Sequence, residues 1–258
     1  MAIHSTAIID PRAHISPDAE IGPYCIVGSD IIIGARTRLI AHVYLEGKLA
    51  IGEDNIFYPY ASCGVAPQDK KYKGEPSETR IGNGNSIREF VTIHRGTEGG
   101  GMVTCIGDSN LLMAYVHVAH DVSIQNNVIL ANGVTFAGHV VVEDYANIGG
   151  LSAIHQFCRI GRHAMIGSYS VIKQNVLPYS ITASDHHVEV YGANRIGLER
   201  RGFSSDTIEA LQNAFRILTR AGLNTSQALA RIEEEIPHTE EVRELLEFIR
   251  NSQRGFVK

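Results

Sequence analysis

An aliphatic or aromatic residue recurs at every sixth position through most of the first 172 residues of this chain. The run from Ile106 to Ile172 has no gap, and an earlier run extends from Ile9 to Cys63. An amphipathic helix requires apolar spacings of three and four, so this pattern excludes one. Repeats of six residues build a parallel β-helix, with three hexapeptides, about 18 residues, in each coil. The sequence therefore predicts an all-β solenoid here.

Two insertions interrupt the sixfold repeat, one near residues 64–80 and the other near residues 97–104. The first contains the charged run Q-D-K-K-Y-K-G-E-P, and the second is the glycine-rich T-E-G-G-G-M-V-T. Insertions project from a solenoid without disturbing its stack, and exposed loops often carry function. We therefore treat both as candidate functional loops, with solvated surface decoration as the alternative.

The sixfold repeat closes near Pro178, and from Tyr191 the apolar spacing becomes helical. Ser204 or Ser205, Thr225 and Thr239 are suited to cap three short amphipathic helices. Such helices bury their apolar faces only by docking on one another and on the end of the solenoid. We therefore predict a solenoid over residues 1–190 and a small C-terminal α-helical domain over residues 191–258.

Histidines concentrate in three hexapeptides that are 18 residues apart and therefore stack on one face, with neighbouring strands about 4.8 Å apart. His120, His139 and His155 are expected to line this wall. His120 shares its column with Gly138, whose lack of a side chain leaves room for the imidazole, and Asp121 shares a column with His139. Imidazoles beside a carboxylate suit acid/base chemistry near neutral pH. The alternative is a set of solvated or hydrogen-bonded surface histidines.

The composition is that of a soluble protein, with 44% hydrophobic and 20% charged residues. A net charge of -5 argues against nucleic acid as a partner. We expect a cytoplasmic protein without membrane insertion, because no apolar run is long enough to span a bilayer and the start M-A-I-H-S-T does not resemble a signal peptide. The four cysteines form no C-x-x-C pair and are interpreted as small core residues.

Several segments together resemble one family over nearly the whole chain. They are G-x-x-x-Q-D-K-K-Y-K-G-E-P, V-T-I-H-R-G-T, L-L-M-A-Y-V-H-V-A-H-D, A-G-H-V, I-H-Q-F-C-R-I-G and R-R-G-F-S. This order resembles the acyl-[acyl-carrier-protein]-UDP-N-acetylglucosamine O-acyltransferases that start lipid A synthesis. The resemblance implies a left-handed parallel β-helix, a homotrimer with active sites between subunits, and no metal or organic cofactor. It also implies transfer of a 3-hydroxyacyl group from acyl-carrier protein to the 3-hydroxyl of UDP-N-acetylglucosamine.

The resemblance also implies roles for individual residues. His120 matches the general base, a role that suits an ordinary imidazole because it is largely neutral at pH 7. Asp121 matches its orienting partner, and the Gly138 N–H matches the group that faces the thioester oxyanion. The remaining matches are substrate contacts: Gln68, Asp69, Lys71, His117, His139, His155, Gln156, Asn194, Arg200 and Arg201. Ser168 matches the position that measures acyl length, where a bulkier side chain accompanies shorter donors.

The chain departs from the family pattern in two places. Ile196 stands where well-studied members carry a glutamate that contacts the nucleotide. The segment S-D-H-H-V-E-V has one extra residue, so either His186 or His187 takes the place of the nucleotide-side histidine.

Three other functions are compatible with the solenoid. The γ-class carbonic anhydrases use it to hold zinc, but the two-residue gap between His117 and His120 does not resemble their wider spacing. A purely binding or structural solenoid explains the repeats but not the histidine wall. Another hexapeptide acyltransferase, acting on a 3-amino nucleotide sugar or a different acceptor, remains the main alternative.

Overall fold

The computed structural model describes residues 2–184 and 187–258. In these ranges, successive strands of the repeat region belong to three sheets in turn. Each parallel strand pairs with the strand three places along the chain, except at the end of the first sheet, where the strand at Met165–Ile166 pairs with the strand at Ser180–Ser184. This connectivity is that of a parallel β-helix in which each coil contributes one strand to each sheet. The parallel β-helix predicted from the six-residue repeat is therefore confirmed.

The bounds of the strands, numbered in chain order, are as follows. The first sheet contains β1 (Ala2–Ile3), β4 (Glu20–Ile21), β7 (Arg38–Leu39), β10 (Ile56–Phe57), β13 (Ser86–Ile87), β16 (Leu111–Leu112), β19 (Ile129–Leu130), β22 (Asn147–Ile148), β25 (Met165–Ile166), β27 (Ser180–Ser184) and β28 (Val188–Ala193). The second contains β2 (Ile8–Ile9), β5 (Ile26–Val27), β8 (Tyr44–Leu45), β11 (Ser62–Val65), β14 (Thr92–His94), β17 (His117–Val118), β20 (Thr135–Phe136), β23 (Ala153–Ile154) and β26 (Val171–Ile172). The third contains β3 (His14–Ile15), β6 (Ile31–Ile33), β9 (Lys48–Ile51), β12 (Glu78–Ile81), β15 (Val103–Ile106), β18 (Ser123–Ile124), β21 (Val141–Val142) and β24 (Arg159–Ile160).

The strand register confirms the predicted stacking of the histidine wall. Val118 pairs with Phe136, and Phe136 pairs with Ile154, each step being 18 residues. Cys63 pairs instead with Ile93, because the first insertion lies between them and leaves the stack intact. The repeated apolar residues point inward, and burying one aliphatic or aromatic side chain of this size contributes about 1.5–3 kcal/mol.

A ladder of buried asparagines supports one corner of the coil. The Asn85 side-chain amide donates to the Gly107 carbonyl at 2.9 Å and to Asn55 Oδ1 at 2.9 Å. Asn85 Oδ1 accepts from the Asn110 backbone N–H at 2.9 Å. Because buried polar groups are costly unless they are paired, these bonds hold successive turns in one conformation.

The C-terminal segment contains four helices in the part of the chain that the structure describes, rather than the three predicted. They are α1 (Arg195–Arg200), α2 (Ser205–Arg220), α3 (Thr225–Glu235) and α4 (Glu240–Arg250). Ser204 and Thr239 cap α2 and α4 as predicted. The N-cap of α3 is Asn224 rather than Thr225, because Asn224 forms a capping box with Gln227.

An antiparallel pair precedes the helices and was not predicted. The strands β27 and β28 extend the first sheet, and β28 runs through residue 193, so helical structure begins later than Tyr191. The buried faces of α2 and α4 then pack into the same apolar core as the last coils. Among the described residues, every helix falls short of the length and apolar character needed to cross a membrane.

Candidate active site

One cavity of about 810 Å³ brings together most of the predicted site residues. Its volume lies in the range usual for small-molecule sites. The first insertion forms one side, and the stacked hexapeptides of the second sheet form the other. The predicted residues that line it are Gln68, Asp69, Lys71, His117, His120, Gly138, His139, His155 and Gln156.

A hydrogen-bonded pair, His120 and Asp121, lies at the wall of this cavity. His120 Nδ1 is 2.8 Å from Asp121 Oδ2, and the Asp121 side chain is fully buried. A carboxylate only accepts hydrogen bonds, so Nδ1 carries the proton and donates it to Asp121. The other ring nitrogen, Nε2, is then left with a free lone pair, which is the state a general base requires.

The His120 ring rests against Gly138. A side-chain Cβ built at Gly138 would lie 2.8 Å from His120 Nε2 and 2.5 Å from Cε1, too close for either atom. The Gly138 amide donates no hydrogen bond within the described part of the chain, although the residue is buried. A free lone pair and a free N–H donor therefore lie beside each other at the cavity wall.

The second insertion covers the Asp121 carboxylate, a feature the sequence analysis missed. The Thr97 backbone N–H donates to Oδ1 at 2.9 Å, and the Thr97 hydroxyl donates to Oδ2 at 2.6 Å. The Asp121 N–H donates to Thr104 Oγ1 at 2.8 Å. Gly100 packs so closely on the carboxylate that any side chain there would collide with it. Only the interruption of the repeat before Ile106 marked this segment.

Three further histidines beside the cavity are held in the neutral form. Burial lowers the pKa of His94 to about 4, with further lowering from His117 and His120. Burial also lowers the pKa of His117, whose Nδ1 lies 2.7 Å from the Thr92 hydroxyl. Burial likewise lowers the pKa of His139, and this effect outweighs the opposing influence of Asp121. His94 was not among the predicted site residues.

Two neighbours orient the outer part of the wall. The His139 ring stacks on Phe157 with centroids 4.5 Å apart, and it meets the His120 ring edge-on at 5.1 Å. Arg254, near the C-terminus, places Nη2 3.2 Å from His155 Nδ1. Neither Phe157 nor Arg254 was predicted. Phe157 lies one coil of 18 residues after His139, so the repeat spacing places it there, whereas the Arg254 contact spans 99 positions and leaves no local pattern.

The first insertion is anchored from below by Arg95. Its Nε donates to the Tyr72 hydroxyl at 2.9 Å, and its Nη1 donates to the Gly64 carbonyl at 2.9 Å. Within the loop, the Lys71 N–H donates to Asp69 Oδ1 at 2.9 Å, forming a turn that presents both side chains together. This anchoring fixes the position of the loop over the cavity.

Besides the buried Asp121, four predicted residues do not line this cavity within one chain. Ser168 is exposed at a coil corner, and Asn194 caps α1 through Gly197 N. Arg200 is exposed on α1, and Arg201 lies over the Tyr145 ring at 4.1 Å.

The two departures from the family pattern lie near the same end of the chain. Ile196 is 60% exposed on α1, so its side chain is not part of the core. His187 is exposed and lines a second cavity, which shares Val171 and Lys173 with the first, whereas His186 lies outside the described residues.

The ligand atoms of His120, Asp121 and His139 lie within 4.8 Å of one another, which is the spacing of a candidate metal site. The carboxylate, however, already accepts three hydrogen bonds, from Thr97 N, Thr97 Oγ1 and His120 Nδ1. We therefore interpret His120 and Asp121 as a hydrogen-bonded base with His139 beside it, rather than the three residues as a metal-binding site.

Comparison with known proteins gives a consistent assignment. Residues 175–257 match the profile described as Udp N-acetylglucosamine O-acyltransferase, domain 2, and residues 106–138 match the bacterial transferase hexapeptide profile. An acyl-[acyl-carrier-protein]-UDP-N-acetylglucosamine O-acyltransferase from Thermodesulfovibrio yellowstonii is 52% identical over 256 residues, covering 99% of both chains. The solved structure of LpxA from Acinetobacter baumannii is 43% identical with a TM-score of 0.96, over 100% of both chains. A UDP-N-acetylglucosamine acyltransferase from Bacteroides fragilis is 41% identical with a TM-score of 0.97, over 99% of this chain and 100% of its own. The chain belongs to the family of acyl-[acyl-carrier-protein]-UDP-N-acetylglucosamine O-acyltransferases.

Proposed function

We propose that this protein transfers a 3-hydroxyacyl group from acyl-carrier protein to the 3-hydroxyl of UDP-N-acetylglucosamine, the first step of lipid A synthesis. The observation that carries the proposal is the pair formed by His120 Nδ1 and Asp121 Oδ2 at 2.8 Å, with Nε2 facing Gly138 at the cavity wall. Family membership supplies the two substrates, and the cavity supplies groups that suit the chemistry.

The reaction begins at the sugar hydroxyl. His120 Nε2 takes its proton as the oxygen attacks the thioester carbonyl, forming a C–O bond and a tetrahedral oxyanion. The Gly138 N–H stabilises that oxyanion, and Asp121 stabilises the imidazolium. The intermediate then collapses, the C–S bond breaks, and His120 returns the proton to the carrier-protein thiolate. His120 ends neutral, so the residues complete the cycle without a cofactor.

The acceptor is bound by the first insertion and by the neutral histidines. Lys71 provides a positive charge for the diphosphate, while Asp69 and Gln68 offer hydrogen-bonding groups to the sugar hydroxyls. A neutral His117 or His139 donates or accepts a hydrogen bond without repelling Lys71. His155 and Gln156, on the next coil, extend the same wall.

We also propose a homotrimer with sites between subunits. Ser168, Asn194, Arg200 and Arg201 lie outside the cavity of their own chain, so in this arrangement they serve the site of a neighbouring copy. An exposed aromatic ladder along one corner supports burial between copies, since exposed apolar patches of this kind commonly mark interfaces. Its stacked rings, with centroids about 5 Å apart, are Tyr24, His42, Tyr60, Phe90 and Tyr115.

The finer features of fold and location are proposed with the function. We infer that the β-helix is left-handed, as the resemblance implies, and that it forms one unit over residues 1–190 with a helical domain over residues 191–258. We place the reaction in the cytoplasm, where acyl-carrier protein and nucleotide sugars occur.

The test is a transfer assay read by product mass. The wild type is offered 3-hydroxyacyl-carrier protein with UDP-N-acetylglucosamine or its 3-amino analogue. His120→Ala should lower the transfer rate by about 100- to 10,000-fold, because that is the usual contribution of a positioned general base. His238→Ala, a change to an exposed histidine on the helical tail, is the matched control. Near-normal turnover of His120→Ala would contradict the mechanism, and acylation of the amino analogue alone would favour the alternative acceptor.

A further inference from the structure

The segment from Thr97 to Thr104 encloses the buried carboxylate of Asp121. Thr97 is only 7% exposed, and its two donors reach both carboxylate oxygens, Oδ1 from the backbone and Oδ2 from the hydroxyl. The 3-10 turn Glu98–Gly100 then carries the chain across the carboxylate, and Gly101 ends it with φ of 91°. Gly100 leaves no room between the turn and Asp121. The insertion is therefore a fitted cover rather than surface decoration.

The cover acts on the oxygen that holds His120. Oδ2 accepts from the Thr97 hydroxyl at 2.6 Å and from His120 Nδ1 at 2.8 Å. Two donors that share one oxygen draw on the same negative charge, so each weakens the hydrogen bond of the other. Each donor also restrains the orientation of the carboxylate. The hydroxyl therefore sets how strongly the carboxylate attracts the imidazolium, and it fixes the angle at which the ring is held.

We propose that Thr97 is a positioning residue for acyl transfer, acting through Asp121 to fix the orientation and the proton affinity of the His120 imidazole. This inference rests on the proposed function, because the role of Thr97 in catalysis requires that His120 act as the general base of acyl transfer. Thr97 does not line the substrate cavity, so a change in binding is not expected to follow directly from its loss.

Other charged and titratable groups around His120 come from four elements. His139 lies on the next coil, with Nδ1 3.9 Å from Asp121 Oδ2, too long for a hydrogen bond. His94 lies on the preceding coil, and its pKa is lowered in part by His120. Asp69 and Lys71 approach from the first insertion, and His155 lies two coils along. Thr97→Val leaves all of these in place, so a changed pH profile reports on the hydroxyl.

The test compares Thr97→Val, which has the same shape without the hydroxyl, with Thr97→Ser, which keeps it. In Thr97→Val the carboxylate loses one donor and holds the imidazolium more strongly. The acid limb of kcat/KM should then move to higher pH. Looser orientation should lower kcat by about tenfold, with little change in the KM for nucleotide sugar. Thr97→Ser should restore the wild-type profile.

A control variant and a second measurement separate the possible failures. Thr37→Val removes another buried hydroxyl, from an earlier coil, and should leave the pH profile unchanged. The His120 ring-proton titration, identified by its absence in His120→Gln, should move with Thr97→Val even if no acyl transfer is measurable. A wild type that transfers no acyl group would refute the proposed function alone. A Thr97→Val variant with the wild-type pH profile and titration, or a Thr97→Ser variant shifted equally, would overturn the role of Thr97.

Discussion

Gly138→Ala is expected to abolish most of the activity by displacing the general base. The new methyl would lie 2.5 Å from His120 Cε1 and 2.8 Å from Nε2, whereas ordinary contact begins near 3.4 Å. The ring must therefore retreat by about 1 Å, and misplacement of a reacting group by this distance costs about 100-fold in rate. It cannot turn aside freely, because Nδ1 is held by Asp121 at 2.8 Å. The φ of Gly138 is not in the left-handed region, so the backbone accepts alanine.

The assay separates displacement of the base from misfolding and from loss of the oxyanion donor. We expect kcat to fall about 100-fold while the KM for UDP-N-acetylglucosamine changes little. Because Gly138→Ala keeps the backbone N–H of residue 138, the fall in kcat is attributed to displacement of the His120 ring. Gly28→Ala is the control, since its methyl would meet Leu45 O at 3.3 Å in a remote coil and should affect only thermal stability. A Gly138→Ala enzyme with wild-type kcat would refute the packing argument.

Three further predictions follow from the site and its surroundings. Asp69→Ala or Lys71→Ala should raise the KM for the nucleotide sugar, and an effect confined to carrier-protein dependence would assign the loop to the other substrate. Wild type should favour donors shorter than about 14 carbons, and Ser168→Gly should shift kcat/KM toward longer ones by about tenfold, as measured with 10-, 12- and 14-carbon donors. Burial lowers the pKa of His94 and of His163 to about 4, so stability present above pH 6.5 should be lost as pH falls toward 4. Each histidine contributes at most about 3 kcal/mol to this loss. His163→Phe should therefore reduce the fall in unfolding free energy that urea titration measures as pH is lowered.

The solenoid was predictable because a single period determines it. Once Val118, Phe136 and Ile154 are known to stack, the neighbours of His120 in the adjacent coils follow from counting. The same counting places Gly138 beside the imidazole, as the packing confirms. The regular repeat thus allows most neighbours within the candidate site to be predicted from the sequence alone.

Two of the groups that the sequence did not reveal come from segments that leave the repeat. Thr97 reaches Asp121 only because the second insertion folds back over the carboxylate. Arg254 reaches His155 from the last residues of the chain, which pack on the final coils. Neither contact has a periodic spacing, so no pattern in the residues specifies it.

The corners of the coil explain why the functional side chains lie where they do. Asp121, His139 and Phe157 occupy equivalent positions with φ of 59°, 61° and 64°, in the left-handed region. A residue other than glycine costs roughly 1–2 kcal/mol there, and aspartate and histidine tolerate it better than most. Glycine at these corners would remove that cost. It would also remove the Asp121 carboxylate that holds His120 and the His139 and Phe157 rings that stack on each other. The hydrogen bonds of the buried Asp121 carboxylate and the stacking of His139 on Phe157 at 4.5 Å act against that cost. The candidate active site thus lies at a corner where the coil, the cover and the projecting loop meet.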